Sequence, residues 1–146
     1  MAIAILLNAN FSDRLLAEPI PMNTKQQILD LVNRQAKAWE NADAQTIAAD
    51  FAEDAIFIAP GSEFNGKQQV QKAAQDYFKQ FTDTQVRIKR IIIDGDRGAV
   101  EWAWSDRNRQ TDKPSYAEDA IIFELENSKI VYWREYIEKK EIPIDN

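Results

Sequence analysis

The chain has 146 residues, 45% of them hydrophobic and 29% charged, with a net charge of −6, a make-up that suits one globular domain with a proper core. The acidic balance speaks against a nucleic-acid partner, because phosphate binding needs a basic surface. Cysteine and histidine are both absent, which removes disulfides, thiolate nucleophiles and the usual metal ligands and leaves acid–base chemistry to Asp, Glu, Tyr or Lys.

Residues 1–21 read as an appendage. The apolar start, 1–7, is too short to span a bilayer and lacks the basic start and cleavage pattern of an export signal. No membrane is therefore expected, and the cytoplasm is the expected compartment. Ser12 caps a short helical turn, which Pro19 and Pro21 then stop. Met22 opens the main domain, expected over 22–146. The appendage is either a docking arm or the product of an upstream start codon.

Thr24-Lys25-Gln26-Gln27 forms a capping box. Ile28, Leu31, Val32, Gln35 and Trp39 follow at helical spacing and predict a long helix to about Asn41. Asp43 caps a second, shorter helix carrying Ile47 and Phe51. A short strand over 55–59 stops at Pro60-Gly61. After Gly66 a third helix presents Val70, Ala74, Tyr77, Phe78 and Phe81. Strand patterns then cover 86–93 and 100–105, joined through Asp94-Gly95-Asp96, a hairpin signal. Trp102 and Trp104 share one face of the second of these strands. Residues 106–115 read as a polar connection.

Residues 116–138 are the most informative stretch, two β-rich runs joined by Glu126-Asn127-Ser128. Asp119, Ile121, Phe123 and Leu125 fall on one face of the first run. Val131, Trp133, Glu135 and Ile137 fall on one face of the second. Each apolar face thus carries a single acid, which is costly unless the acid is paired or serves a purpose. Helices first and strands last predict an α+β fold: three N-terminal helices packed on the concave face of a curved, cone-shaped antiparallel sheet. The mouth of such a cone is a common small-molecule site.

The segments WENADAQTIAADFAEDAIFIAPGSEFNGK and EDAIIFELENSKIVYWREYIE, with DGD between them, resemble the SnoaL-like branch of the nuclear transport factor 2-like superfamily over about residues 22–138. The resemblance implies a cone-shaped α+β barrel, usually dimeric, with a pocket between sheet and helices. Relatives include ketosteroid isomerase, polyketide cyclases, limonene epoxide hydrolase and scytalone dehydratase, besides many proteins without chemistry. The isomerase base is an Asp directly before the proline that ends the first strand, where this chain has Ala59. The isomerase tyrosine of the first helix falls near Gln35. Its second Asp, kept protonated to donate a hydrogen bond, matches Asp119. In the epoxide hydrolase the last strand carries an Asp that matches Glu135, but its Arg-x-Asp is replaced here by Trp102-Ala103-Trp104. Scytalone dehydratase depends on histidines, and this chain has none.

Asp119 and Glu135 are accordingly the candidate catalytic residues, with Asp119 expected to face the interior with a raised pKa. Trp39, Phe57, Phe64, Tyr77, Trp102, Trp104 and Trp133 are the candidate ligand-binding residues, although Trp102 or Trp104 could instead fill the hollow. No metal and no cofactor is expected. Tyr132, Arg134 and Tyr136, with Ala120 and Ile122, compose a face suited to a homodimer contact, where Glu101 and Arg134 could pair across strands. The function these residues suggest is binding of a small lipophilic molecule by a non-catalytic module. The alternative is a cofactor-free acid–base enzyme using Asp119 and Glu135.

Overall fold

A computed structural model describes residues 24–143. The appendage expected over 1–21, with its cap at Ser12, lies outside the described residues. Three helices precede the main run of strands: α1 (Thr24–Glu40), α2 (Ala44–Ala49) and α3 (Lys67–Gln80). The strands are β1 (Phe51–Ala59), β2 (Ser62–Asn65), β3 (Phe81–Asp94), β4 (Arg97–Asn108), β5 (Pro114–Glu126) and β6 (Lys129–Lys140). They form one sheet in the order β2-β1-β6-β5-β4-β3. The α+β class and the curved sheet capped by helices agree with the sequence.

Two features of the sheet do not. It is mixed, because β1 runs parallel to β6, and it is open rather than a closed barrel, with β2 and β3 as its edges. Alternation reports which residues share a face but not which way a strand runs, so the parallel pair left no trace in the sequence pattern.

Local departures have local causes. Phe51 opens β1 instead of closing α2, and is 3% exposed. The helix ends at Asp50 because tertiary bonds claim that residue: Arg34 donates to its carboxylate through Nε and Nη2 (2.6–3.1 Å), and Gln35 Nε2 donates at 2.9 Å. The Asp50 carbonyl also accepts from Ile130 N–H of β6. Asp43 caps α2 as expected, its Oδ1 accepting from Thr46 N–H at 3.0 Å. Phe81 starts β3 rather than ending α3, and its ring stacks on Tyr77 at 5.0 Å. The short polar strand β2 has no apolar alternation to betray it; hairpin pairing with β1 creates it.

In β6 a bulge opposite Glu124/Leu125 puts Ile130 inside (0% exposed), where plain alternation would place Val131. From Trp133 onward the expected faces return. The β3–β4 turn places Gly95 at φ +61, and the β5–β6 turn holds Asn127 and Ser128 at φ +49 and +63. Such positive angles at the centre of a two-residue hairpin match the strands' twist. Glu101 does not meet Arg134, since β5 lies between β4 and β6. It faces Arg90 of β3 at 3.7 Å, while the Arg134 guanidinium lies 5.0 Å over the Tyr136 ring.

The core fills the space between α1, α2, α3 and the inner sheet face. Ile28, Leu31 and Val32 of α1 meet Ile121, Phe123 and Ile130 of the sheet in one buried cluster. None of the described helices is long and apolar enough to cross a membrane.

Candidate active site

Toward one end of the sheet the packing does not close. A cavity of about 790 Å³ remains there. Trp39 of α1, Phe57 of β1, Phe64 of β2, Tyr77 of α3, Phe81 of β3 and Trp104 of β4 wall it with rings. Apart from the stacked Tyr77–Phe81 pair, these rings meet edge to face or tilted: Trp39 lies 5.5 Å from both Tyr77 and Trp104, and Phe57 5.6 Å from Phe64. That mutual packing fixes the wall's shape. Five of the seven expected ligand-binding residues therefore line the cavity. Trp102 and Trp133 do not: they are 0% and 1% exposed and pack on each other at 5.9 Å behind the wall. Trp102 fills the deep part of the cone, and the hollow survives beyond it.

Asp106 is a polar wall residue that sequence reasoning missed. It ends the inner row of β4, two residues past Trp104, and is 7% exposed. Tyr77 Oη and Trp104 Nε1 donate to its Oδ2 at 2.6 and 3.0 Å, and Ser115 Oγ donates to Oδ1. The Tyr77 hydroxyl also meets Trp104 Nε1 and Thr84 Oγ1, at 3.2 and 3.0 Å. Burial, followed by the bond to Asp106, pushes the Tyr77 hydroxyl far above its usual range. These groups spend their hydrogen bonds on one another, so the cluster reads as a rigid corner of the wall. The parity of Trp102, Trp104 and Asp106 was the available signal. It is hidden by reading the polar run after Ser105 as a loop.

Besides the exposed Glu141, Glu135 is the other wall acid. Trp133 Nε1 donates to its Oε1 at 3.0 Å, and Oε2 accepts nothing from a described residue. Burial, then the negative charge of Asp119, pushes Glu135 up to about 8; the Trp133 bond acts the other way. At neutral pH it is therefore a carboxylic acid with a proton to donate.

Asp119 faces inward as expected but stands behind the wall. It is 6% exposed and accepts from Trp102 Nε1 at 3.0 Å. Burial raises it to about 6, against the effect of the Trp102 bond. The direction expected from the sequence holds, yet Glu135 rather than Asp119 is the member protonated at pH 7. Alternation assigns a face but not a depth along the strand, and depth decides which acid meets the cavity. Among the described residues no cluster of three or more Asp, Glu, His or Cys could hold a metal ion.

Residues 32–133, more than half of the chain, match the SnoaL-like domain family. No curated protein matches. Solved structures match the fold at low identity. An epoxide hydrolase from M. tuberculosis, described as LEH-like, shares 20% identity over 77% of this chain and 84% of its own, with a TM-score of 0.68. A candidate polyketide cyclase from Xanthomonas campestris shares 17% over 78% and 92%, with a TM-score of 0.71. A hypothetical protein of ketosteroid isomerase-like fold from Catenulispora acidiphila, solved with trimethylamine, shares 17% over 73% and 84%, with a TM-score of 0.69. At such identities these neighbours speak for the fold alone. The chain belongs to the SnoaL-like domain family.

Proposed function

We propose that the chain binds a small, flat, largely apolar molecule in the aromatic cavity and hydrogen-bonds one oxygen of it through the Glu135 carboxyl. The observation that carries this reading is the pairing of an apolar cavity of about 790 Å³ with a wall acid, Glu135, that accepts one bond from Trp133 and keeps its second oxygen free of any described donor. Ring faces supply contact area, and a half-buried neutral acid supplies orientation. A cyclic ketone or a phenol fits both demands. The reading needs no cofactor, and the cytoplasm is the compartment we propose for it.

A second reading rests on the titration of Glu135. An acid near 8 is tuned for proton transfer at neutral pH, so in a cofactor-free enzyme the same group could donate its proton to the oxygen of a developing enol while a solvent water takes the α-proton. Thermal-shift titration with α-tetralone and anthrone tests binding. Saturable stabilisation is expected, and Ala73→Trp, which fills the cavity from α3, should abolish it. No shift from any ketone or phenol of this shape would contradict the proposal. Solvent deuterium exchange at the α-carbon of bound tetralone separates the two readings. Exchange lost in Glu135→Gln supports the enzyme; no exchange beyond the buffer rate supports the binding module.

A further inference from the structure

Asp119 carries an anomaly that core packing does not account for. Its Oδ2 accepts from Trp102, whereas Oδ1 is buried with no hydrogen-bond partner among the described residues. Buried carboxylate oxygens are seldom left so, because the lost hydration is not recovered. The nearest group able to supply a proton follows from the register. β5 and β6 pair Asp119 with Ile137 and Ile121 with Glu135, so Asp119 and Glu135 share the inner face as diagonal neighbours, about 7 Å apart at the backbone. Two carboxyls at that spacing can meet through a torsion of the longer side chain. Glu135 is in the cavity wall and Asp119 is not.

We propose that Asp119 is a positioning residue for Glu135: its bare oxygen is the resting acceptor of the Glu135 proton, and its charge keeps that proton on Glu135 until a ligand oxygen takes over the hydrogen bond. The proposal rests on Glu135 being the group that meets the ligand. It gives the two acids unequal parts, one contacting and one holding, and explains why an unpaired acid sits one layer below the wall. Other titratable groups around the cavity are Tyr77 from α3, Asp106 from β4, Tyr116 from β5, and Lys139, Lys140 and Glu141 toward the end of β6. The lining residues of α1, β1 and β2 are Trp39, Phe57, Ala59 and Phe64, none of them charged. Burial lifts Glu135 most, and Asp119 is the charge that adds to it.

The test needs no ligand. Protein labelled with ¹³C at the Glu and Asp carboxyls is titrated by NMR as wild type, Asp119→Asn and Trp102→Phe. In wild type the Glu135 signal should show its main midpoint near 8 and a smaller inflection at the Asp119 midpoint near 6. Asp119→Asn removes the negative neighbour, so Glu135 should become at least tenfold more acidic. Trp102→Phe disturbs the same packing but leaves the charge, and should not lower the Glu135 midpoint. An unmoved midpoint in Asp119→Asn would overturn the proposal. Should that variant fail to fold, a wild-type Glu135 curve without the second inflection overturns it equally. Ketone binding scored separately keeps the two ideas apart. Coupled titration without binding sinks only the cavity reading, and binding without coupling sinks only this one.

Discussion

The indole N–H of Trp102 donates the one hydrogen bond that the Asp119 carboxylate receives from a described residue. Trp102→Phe should therefore cost about 1–3 kcal/mol, the price of an unsatisfied buried group plus lost packing, measurable by urea unfolding at pH 7. It should also raise the Asp119 midpoint further, since that bond favours the charged form. Glu135 makes a second prediction, with a definite sign. Its folded pKa lies above the ordinary carboxyl value, about 8 against 4.5. Stability from this group is thus fully present below about pH 4.5 and is lost as pH rises toward 8, because the unfolded chain ionises first. Asp119 adds a loss of the same sign between 3.8 and about 6. Glu135→Gln should remove much of the decline, on the order of a few kcal/mol between pH 4.5 and 8; an unchanged pH profile would show that Glu135 is ionised in the native state. At this scale the sequence was legible where chemistry broke pattern. An acid in the same-face row as Ile121 and Phe123, or as Trp133, is visible as an anomaly, and both acids do sit on the inner face. Asp106 was hidden because its own neighbours, Arg107 to Thr111, are polar and exposed enough to pass for a loop.

Elements were legible wherever period and punctuation agreed. The three helices, the Asp43 cap and the two hairpins of β3–β6 follow from apolar spacing and turn residues. What escaped were features set by contacts distant in sequence: the parallel β1–β6 pair, the edge strand β2 and the bulge that exchanges Ile130 for Val131. Gly66, at the β2–α3 corner, combines both kinds of information. Its φ is +87, its N–H donates to Ala55 O at 2.7 Å, and an added Cβ would lie 2.8 Å from Glu53 O. Only glycine meets both demands without strain. Gly66→Ala should destabilise by about 1–3 kcal/mol, read as a lower urea midpoint with unchanged slope. Because the corner hangs β2 and its Phe64 beside α3, the same variant should loosen the cavity wall and reduce ketone stabilisation.

For the whole molecule, the inner face of the sheet is packed up to the cavity, and no described element covers the outer face of β5 and β6. Ile122 and Tyr136 are 47% and 48% exposed there, beside Ala120, Tyr132 and Arg134. We propose that this face joins two copies about a two-fold axis. Sedimentation should show a dimer at micromolar concentration, and Arg134→Glu, which seats like charges across the axis, should shift it toward monomer; a wild-type monomer contradicts the proposal. The central claim concerns the cavity, and a protonated Glu135 gives it a signature that neither shape nor dimerisation can imitate. The direct measurement is the dissociation constant of α-tetralone from pH 6 to 10, by calorimetry, for wild type and Glu135→Gln. The account predicts constant wild-type affinity below the Glu135 midpoint near 8, then weakening of about tenfold per pH unit once the donor ionises, and a flat profile for Glu135→Gln, whose amide still donates. Wild-type affinity that stays flat or strengthens across that range would contradict it.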